Sequence, residues 1–138
     1  MGPRTDLVRD YFERCNSGTA AQLAAAFTDD AVVYDTNVAP VRGPDAIGAW
    51  WVKVRDHWGG ARWVVDAAVE QGDAVAVEWT MSGESAAGPF TVRGSDHYDF
   101  RGDRICQIRQ YWTFDRDAPG SELRGFPYGE DPRFTSAP

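Results

Sequence analysis

Lysine, histidine and cysteine are nearly missing from this chain, and each shortage removes a class of function. The 138 residues carry 14 basic against 21 acidic side chains, a net charge of -7. Binding to nucleic acid needs clustered Lys and Arg that displace counterions from phosphates, so no nucleic acid is expected as a partner. The lone lysine is Lys53; every other basic residue is Arg. Two histidines, His57 and His97, stand far apart, and Cys15 and Cys106 form no CxxC and have no companion His pair. Neither a zinc site nor a redox motif is signalled, and the cysteines read as two buried thiols. No apolar run approaches the roughly 18 residues of a membrane span. The N-terminus, with Pro3, Arg4 and Asp6, lacks the basic-then-apolar layout of a leader. The expectation is a cytoplasmic protein with no membrane segment, no metal and no cofactor.

What is present is periodic. Leu7, Val8, Tyr11, Phe12 and Cys15 recur at helical spacing, closed by the turn residues Asn16-Ser17-Gly18. Thr19-Ala20-Ala21-Gln22 has the form of a capping box that opens a short second helix, expected to reach about Phe27. Asp29-Asp30 breaks that helix, and Ala31 to Asp35 reads as a strand. Gly43-Pro44 opens a third helix, whose apolar face holds Ile47, Trp50, Trp51, Val54 and Trp58. Four alternating segments with short turn-rich links follow, an antiparallel meander. Trp63, Val65, Ala67 and Val69 share one face of the first, and Val75, Val77, Trp79 and Met81 one face of the second. The third gathers Phe90, Val92, Gly94, Asp96, Tyr98 and Phe100. In the fourth, Cys106, Ile108, Gln110, Trp112 and Phe114 stand in phase. The expected fold class is α+β, three N-terminal helices on the concave side of a curved antiparallel sheet. Residues 1–115 make the domain, and residues 116–138 an irregular tail anchored by Phe126, Tyr128 and Phe134.

Three polar residues interrupt the apolar pattern. Strand alternation puts the Asp96 carboxyl among Phe90, Val92, Tyr98 and Phe100, where an unpaired charge must take up a proton or find a partner. The alternative is a one-residue bulge near Gly94 that turns Asp96 to solvent, or a structural bond to backbone amides. Asp35, in phase with Val33 at a strand end, is placed as a half-desolvated general base, or else as a cap on its own turn. Tyr11 lies on the apolar stripe of the first helix, so its hydroxyl reaches a pocket or a core partner. The six Trp make either a rigid, dry cavity for a cyclic ligand or simply a core. The wall of such a pocket is assigned to Trp50, Trp51, Val77, Trp79, Ile108 and Trp112. His97 faces the opposite side of its strand, toward solvent or an interface.

Several stretches together carry a family likeness: Asp10-Tyr11-Phe12-Glu13, Phe27 through Asp35, Val41 through Ile47, Gly94 through Phe100, and Ile105 through Trp112. Over about residues 5 to 114 the chain resembles the ketosteroid isomerase and SnoaL-like polyketide cyclase branch of the nuclear transport factor 2 (NTF2) superfamily, which implies a cone-shaped NTF2-like fold. Laid on the isomerase pattern, Tyr11 falls on the oxyanion tyrosine and Asp35 on the proton-shuttling base. Asp96 falls on the acid that donates a second hydrogen bond, a carboxyl kept neutral by an apolar site in the well-known isomerase example. The tyrosines that support the oxyanion tyrosine fall on Phe27 and Trp51, so that network is not intact. Ser95-Asp96-His97 also resembles SnoaL-type cyclases, in which the acid at this position is the catalytic acid or base.

The resemblance implies a cofactor-free enzyme: proton transfer next to a carbonyl on an apolar cyclic substrate, by isomerisation or aldol cyclisation, in bacterial secondary metabolism such as polyketide biosynthesis. Asp35, Asp96 and Tyr11 are its candidate catalytic residues. The rival is a non-catalytic ligand-binding or dimerisation module on the same fold. In either case the outer sheet face is expected to pair two chains through Arg109, Tyr111 and His97.

Overall fold

The computed structural model describes residues 2–113 and 122–134. Helix α1 (Pro3–Ser17) starts with Pro in its first turn and Asp6 near the positive end of the helix dipole, and Arg14 lies in its last turn. Helix α2 (Ala20–Ala24) opens on the expected capping box: the Gln22 N–H donates to Thr19 Oγ1 at 3.1 Å, and the Thr19 N–H to Gln22 Oε1 at 2.9 Å. It is shorter than its sequence pattern implied, because strand β1 (Phe27–Asp35) already begins at Phe27. A two-residue edge strand β2 (Val41–Arg42) precedes α3 (Pro44–His57). The meander then runs through β3 (Arg62–Gln71), β4 (Ala74–Ser85), β5 (Gly88–Arg101) and β6 (Arg104–Tyr111).

The six strands lie in the order β2-β1-β6-β5-β4-β3 in one curved, unclosed sheet. The meander is antiparallel as its short links require, but β1 pairs with β6 in parallel, so the sheet is mixed. Helix α3 and the strands β3 to β5 lie between β1 and β6 in the chain and supply the long crossover that a parallel pair needs. All three helices pack on the sheet, and Val8, Leu23, Ile47, Val33, Val92 and Ile108 are fully buried between the layers. Helices α2 and α3 touch closely at Gly48, where an added Cβ would stand 2.3 Å from the Ala20 carbonyl oxygen.

Extra residues on β3 and on β6 shift the alternation. On β3 the register slips between Val65 and Ala67, which leaves Asp66 as the extra residue. Beyond it the phase reverses: Val69, expected inside, is 71% exposed, while Ala68 packs on the core and Glu70 accepts from the Thr5 N–H and hydroxyl. On β6 the slip opposite Asp99 and Phe100 makes Cys106 the extra residue, so Ile105 takes the buried place and Cys106 is only half-buried. Phe114, expected in phase on this strand, lies outside the described residues.

The C-terminal segment packs on the outer face of the sheet. Phe134 is buried, and its ring meets those of Phe126 and Tyr128 at centroid distances of 5.5 and 5.4 Å. The Arg93 guanidinium lies 4.0 Å from the Tyr128 ring centroid and donates to Glu122 at 3.1 Å and to Thr80 at 2.7 Å. Among the described residues no helix is long and apolar enough to cross a membrane.

Candidate active site

One lateral row of the sheet holds both acids. Asp35 on β1 is register partner to Gln110 on β6, Gln110 to Asp96 on β5, and Asp96 to Val77 on β4. Strands are spaced about 4.8 Å apart, so the two carboxylates stand two strands, roughly 10 Å, from each other with Gln110 between them. Above this row, α1 and α3 leave a cavity of about 220 Å³. Its wall includes Tyr11, Asp35, Trp50, Trp51, Trp79, Asp96 and Trp112, all assigned to the site from the sequence. Val77 and Ile108 were assigned to that wall as well, but they are not on it. They are almost fully buried and do not reach the cavity surface.

Asp96 does face inward, 4% exposed, with no bulge at Gly94. The Trp79 indole N–H donates to its Oδ1 and the Tyr98 hydroxyl to its Oδ2, both at 2.7 Å. Gly94 makes this possible, since a Cβ there would stand 2.3 Å from the Trp79 ring. Burial pushes the Asp96 carboxyl up to about 7; the two hydrogen bonds pull it down, and the charge of Asp35 across the row pushes it further up.

Asp35 is half-buried and well supplied with donors. Its Oδ1 accepts from the Asn37 N–H at 2.6 Å, the turn cap that the sequence offers as an alternative role. Its Oδ2 accepts from Gln110 Nε2 at 2.6 Å and from the Trp112 indole at 2.8 Å, and the carboxylate still lines the cavity. The turn cap weighed for it in the sequence is therefore present, on a carboxylate that also faces the cavity.

Tyr11 is 2% exposed and its hydroxyl has no hydrogen-bond partner among the described residues. Phe27 packs edge-on at 5.4 Å and Trp51 at 6.4 Å. Burial holds its pKa well above the ordinary tyrosine value, with Cys15 and the charge of Asp96 adding to the effect. The site also recruits Tyr98, Gln110 and Asn37, which the sequence left out of it, together with Trp58 and Trp63 of the six Trp read as a cavity or a core. Tyr98 and Gln110 carried the same signal as Asp96, a polar group at an inward strand phase, and that signal was sufficient to find them. His97 faces outward, its ring 5.8 Å from that of Tyr111. Among the described residues no three His, Cys, Asp or Glu side chains gather into a metal-holding group.

Three helices packed on a curved, unclosed six-stranded sheet define the NTF2-like class of small α+β domains. Residues 8–108 match the model of the SnoaL-like domain, and the chain belongs to that family. Among solved structures, it resembles a protein with a ketosteroid isomerase-like fold from Catenulispora acidiphila, in complex with trimethylamine. That match has 20% identity and a TM-score of 0.74, over 82% of this chain and 88% of the other. It also resembles a candidate polyketide cyclase from Sinorhizobium meliloti, with 25% identity and a TM-score of 0.66 over 77% and 94% of the two chains. TerC, co-crystallised with polyporic acid, matches with 16% identity and a TM-score of 0.71 over 81% and 92%. No curated protein matches the chain significantly.

Proposed function

We propose that the protein is a cofactor-free acid–base enzyme that moves a proton next to a carbonyl on an apolar cyclic small molecule, with Asp96 as the group that takes and returns it. The observation that carries this is a buried carboxyl on the cavity wall, held on both oxygens and brought to about 7 by its surroundings. A general acid–base works best when its pKa lies near the working pH. Trp79 can only donate, so Oδ1 stays an acceptor; the Tyr98 hydroxyl donates to the carboxylate or accepts from the acid. The same geometry thus serves both protonation states. Asp96 takes the proton from the carbon beside the carbonyl, and the C–H electron pair passes into an enolate whose oxygen receives the Tyr11 O–H. The proton then returns at another carbon, an isomerisation. In the cyclase version the enolate carbon instead bonds to a second carbonyl carbon of the same molecule, and the proton ends on the new alkoxide. The candidate cyclase among the structural relatives and the polyporic acid in TerC support a cyclic ligand.

In this scheme Asp35 is the charged neighbour that helps to raise Asp96, not the base that the isomerase pattern makes of it. Deuterium exchange at the carbon beside the carbonyl of β-tetralone, followed by proton NMR, separates the two. Asp96→Asn should lower exchange by about a thousandfold. Asp35→Asn should keep a larger share and move the rising limb of the pH profile to lower pH, since the charge that raises Asp96 is gone. The reverse order would return the base role to Asp35. Binding without exchange would make the protein a ligand-holding module.

A further inference from the structure

Three polar atoms on cavity-lining side chains are buried without a partner among the described residues: the Tyr11 hydroxyl, the Trp51 indole Nε1 and Gln110 Oε1. The side chains are 2%, 7% and 5% exposed. A buried polar group left without a hydrogen bond costs about 1–3 kcal/mol, so three in one cavity call for an occupant that satisfies them. Their chemistry differs. Trp51 Nε1 is a donor only; it lies near the Tyr11 hydroxyl without meeting hydrogen-bond geometry, so the two donors can converge on one acceptor. Gln110 Oε1 is an acceptor only, and which end of that amide is free is fixed by its neighbour. Asp35 Oδ2 can only accept here, so the NH₂ group faces it at 2.6 Å and the oxygen is the free end.

We infer that the natural ligand is a cyclic ketone which also carries a hydroxyl or N–H group, its carbonyl received by Tyr11 and Trp51 and its donor by Gln110 Oε1. This rests on the acid–base reading of the same cavity and deepens it by naming the substrate class. Gln110 becomes the residue that selects for the donor group. Through Asp35 it is also held in place: the three N–H groups on that carboxylate leave Gln110 one orientation, with its NH₂ group on Asp35 and its oxygen free. A purely apolar ketone would satisfy two of the three atoms and leave Oε1 buried and unpaired.

Three probes test this by calorimetry: β-tetralone, its derivative with a hydroxyl on the ring remote from the carbonyl, and the corresponding tetralin phenol, which lacks the carbonyl. The hydroxy ketone should bind about tenfold more tightly than either of the others, the worth of one hydrogen bond at each end. In Gln110→Met the advantage over β-tetralone should disappear, and in Trp51→Phe and Tyr11→Phe the advantage over the phenol should shrink. Equal affinity of hydroxy ketone and β-tetralone for the native protein, or a hydroxyl preference that survives Gln110→Met, would overturn the inference; so would failure of all three to bind. If Gln110→Met does not fold, the comparison of probes on the native protein still decides. Deuterium exchange reports separately. Exchange absent with the binding pattern intact would sink the acid–base reading alone, and exchange present without the pattern would sink only this one.

Discussion

A carboxyl that titrates near neutrality inside an apolar wall leaves a mark on stability as well as on chemistry. Asp96 ordinarily loses its proton near 3.9, and burial raises this to about 7 in the fold. Between those values the folded chain holds a proton that the unfolded chain has released, so stability falls as pH rises through the interval and levels off above it. About three pKa units at 1.36 kcal/mol each correspond to roughly 4 kcal/mol. Asp96→Asn keeps the shape, accepts from Trp79 and donates to Tyr98, and does not titrate. Measured by urea unfolding from pH 4 to 8, the variant should gain on the native protein by roughly 4 kcal/mol up to about pH 7 and by no more beyond it. A difference that does not change with pH would mean that Asp96 is charged throughout.

Strands make the inward face readable, and bulges set the limit of that readability. Alternation alone put Asp96, Tyr98 and Gln110 on the inward face, where a polar group among apolar neighbours at period two points into the core or the cavity, though only Asp96 was read from it as a site residue. It failed on Val69, which lies beyond the extra residue Asp66, and on Cys106, itself an extra residue; where such a residue falls depends on the partner strand and not on the local sequence. Val77 and Ile108 were assigned the right face but the wrong depth: whether a buried side chain touches a cavity depends on how far the larger rings around it reach. The parallel pairing of β1 with β6, which sets Asp35, Gln110 and Asp96 in one row, has no local signature at all. At this scale Gly94 is the sensitive point. Gly94→Ala drives a Cβ into the Trp79 ring and should cost about 1–3 kcal/mol. With the indole displaced from Oδ1, the pKa of Asp96 should rise further, since that bond pulls it down. An unchanged melting temperature in Gly94→Ala would show that the ring has room to move.

On the scale of the whole molecule, the outer sheet face is divided. The C-terminal segment, clamped by Arg93 between Tyr128, Glu122 and Thr80, covers the part over β4 and β5. The part over β1 and β6 keeps Tyr111 53% and Tyr34 37% exposed, beside His97 and the Arg109–Asp99 ion pair of 2.7 Å. The expected pairing of two chains through Arg109, Tyr111 and His97 has this uncovered part to use. The homodimer remains our proposal, with a mixed aromatic and charged patch as its support. Sedimentation at micromolar concentration should give a dimer, and Tyr111→Asp should shift it toward monomer; a native protein that sediments as a monomer would remove the interface.

Everything in the mechanism depends on one proton. Carboxyl-carbon NMR of Asp96, with Asp96→Asn to assign the signal, measures it without any substrate. The account predicts a midpoint near 7. A midpoint at or below the 3.9 of a free aspartate would contradict it, leaving Asp96 a permanently charged hydrogen-bond acceptor and the cavity without its acid–base group.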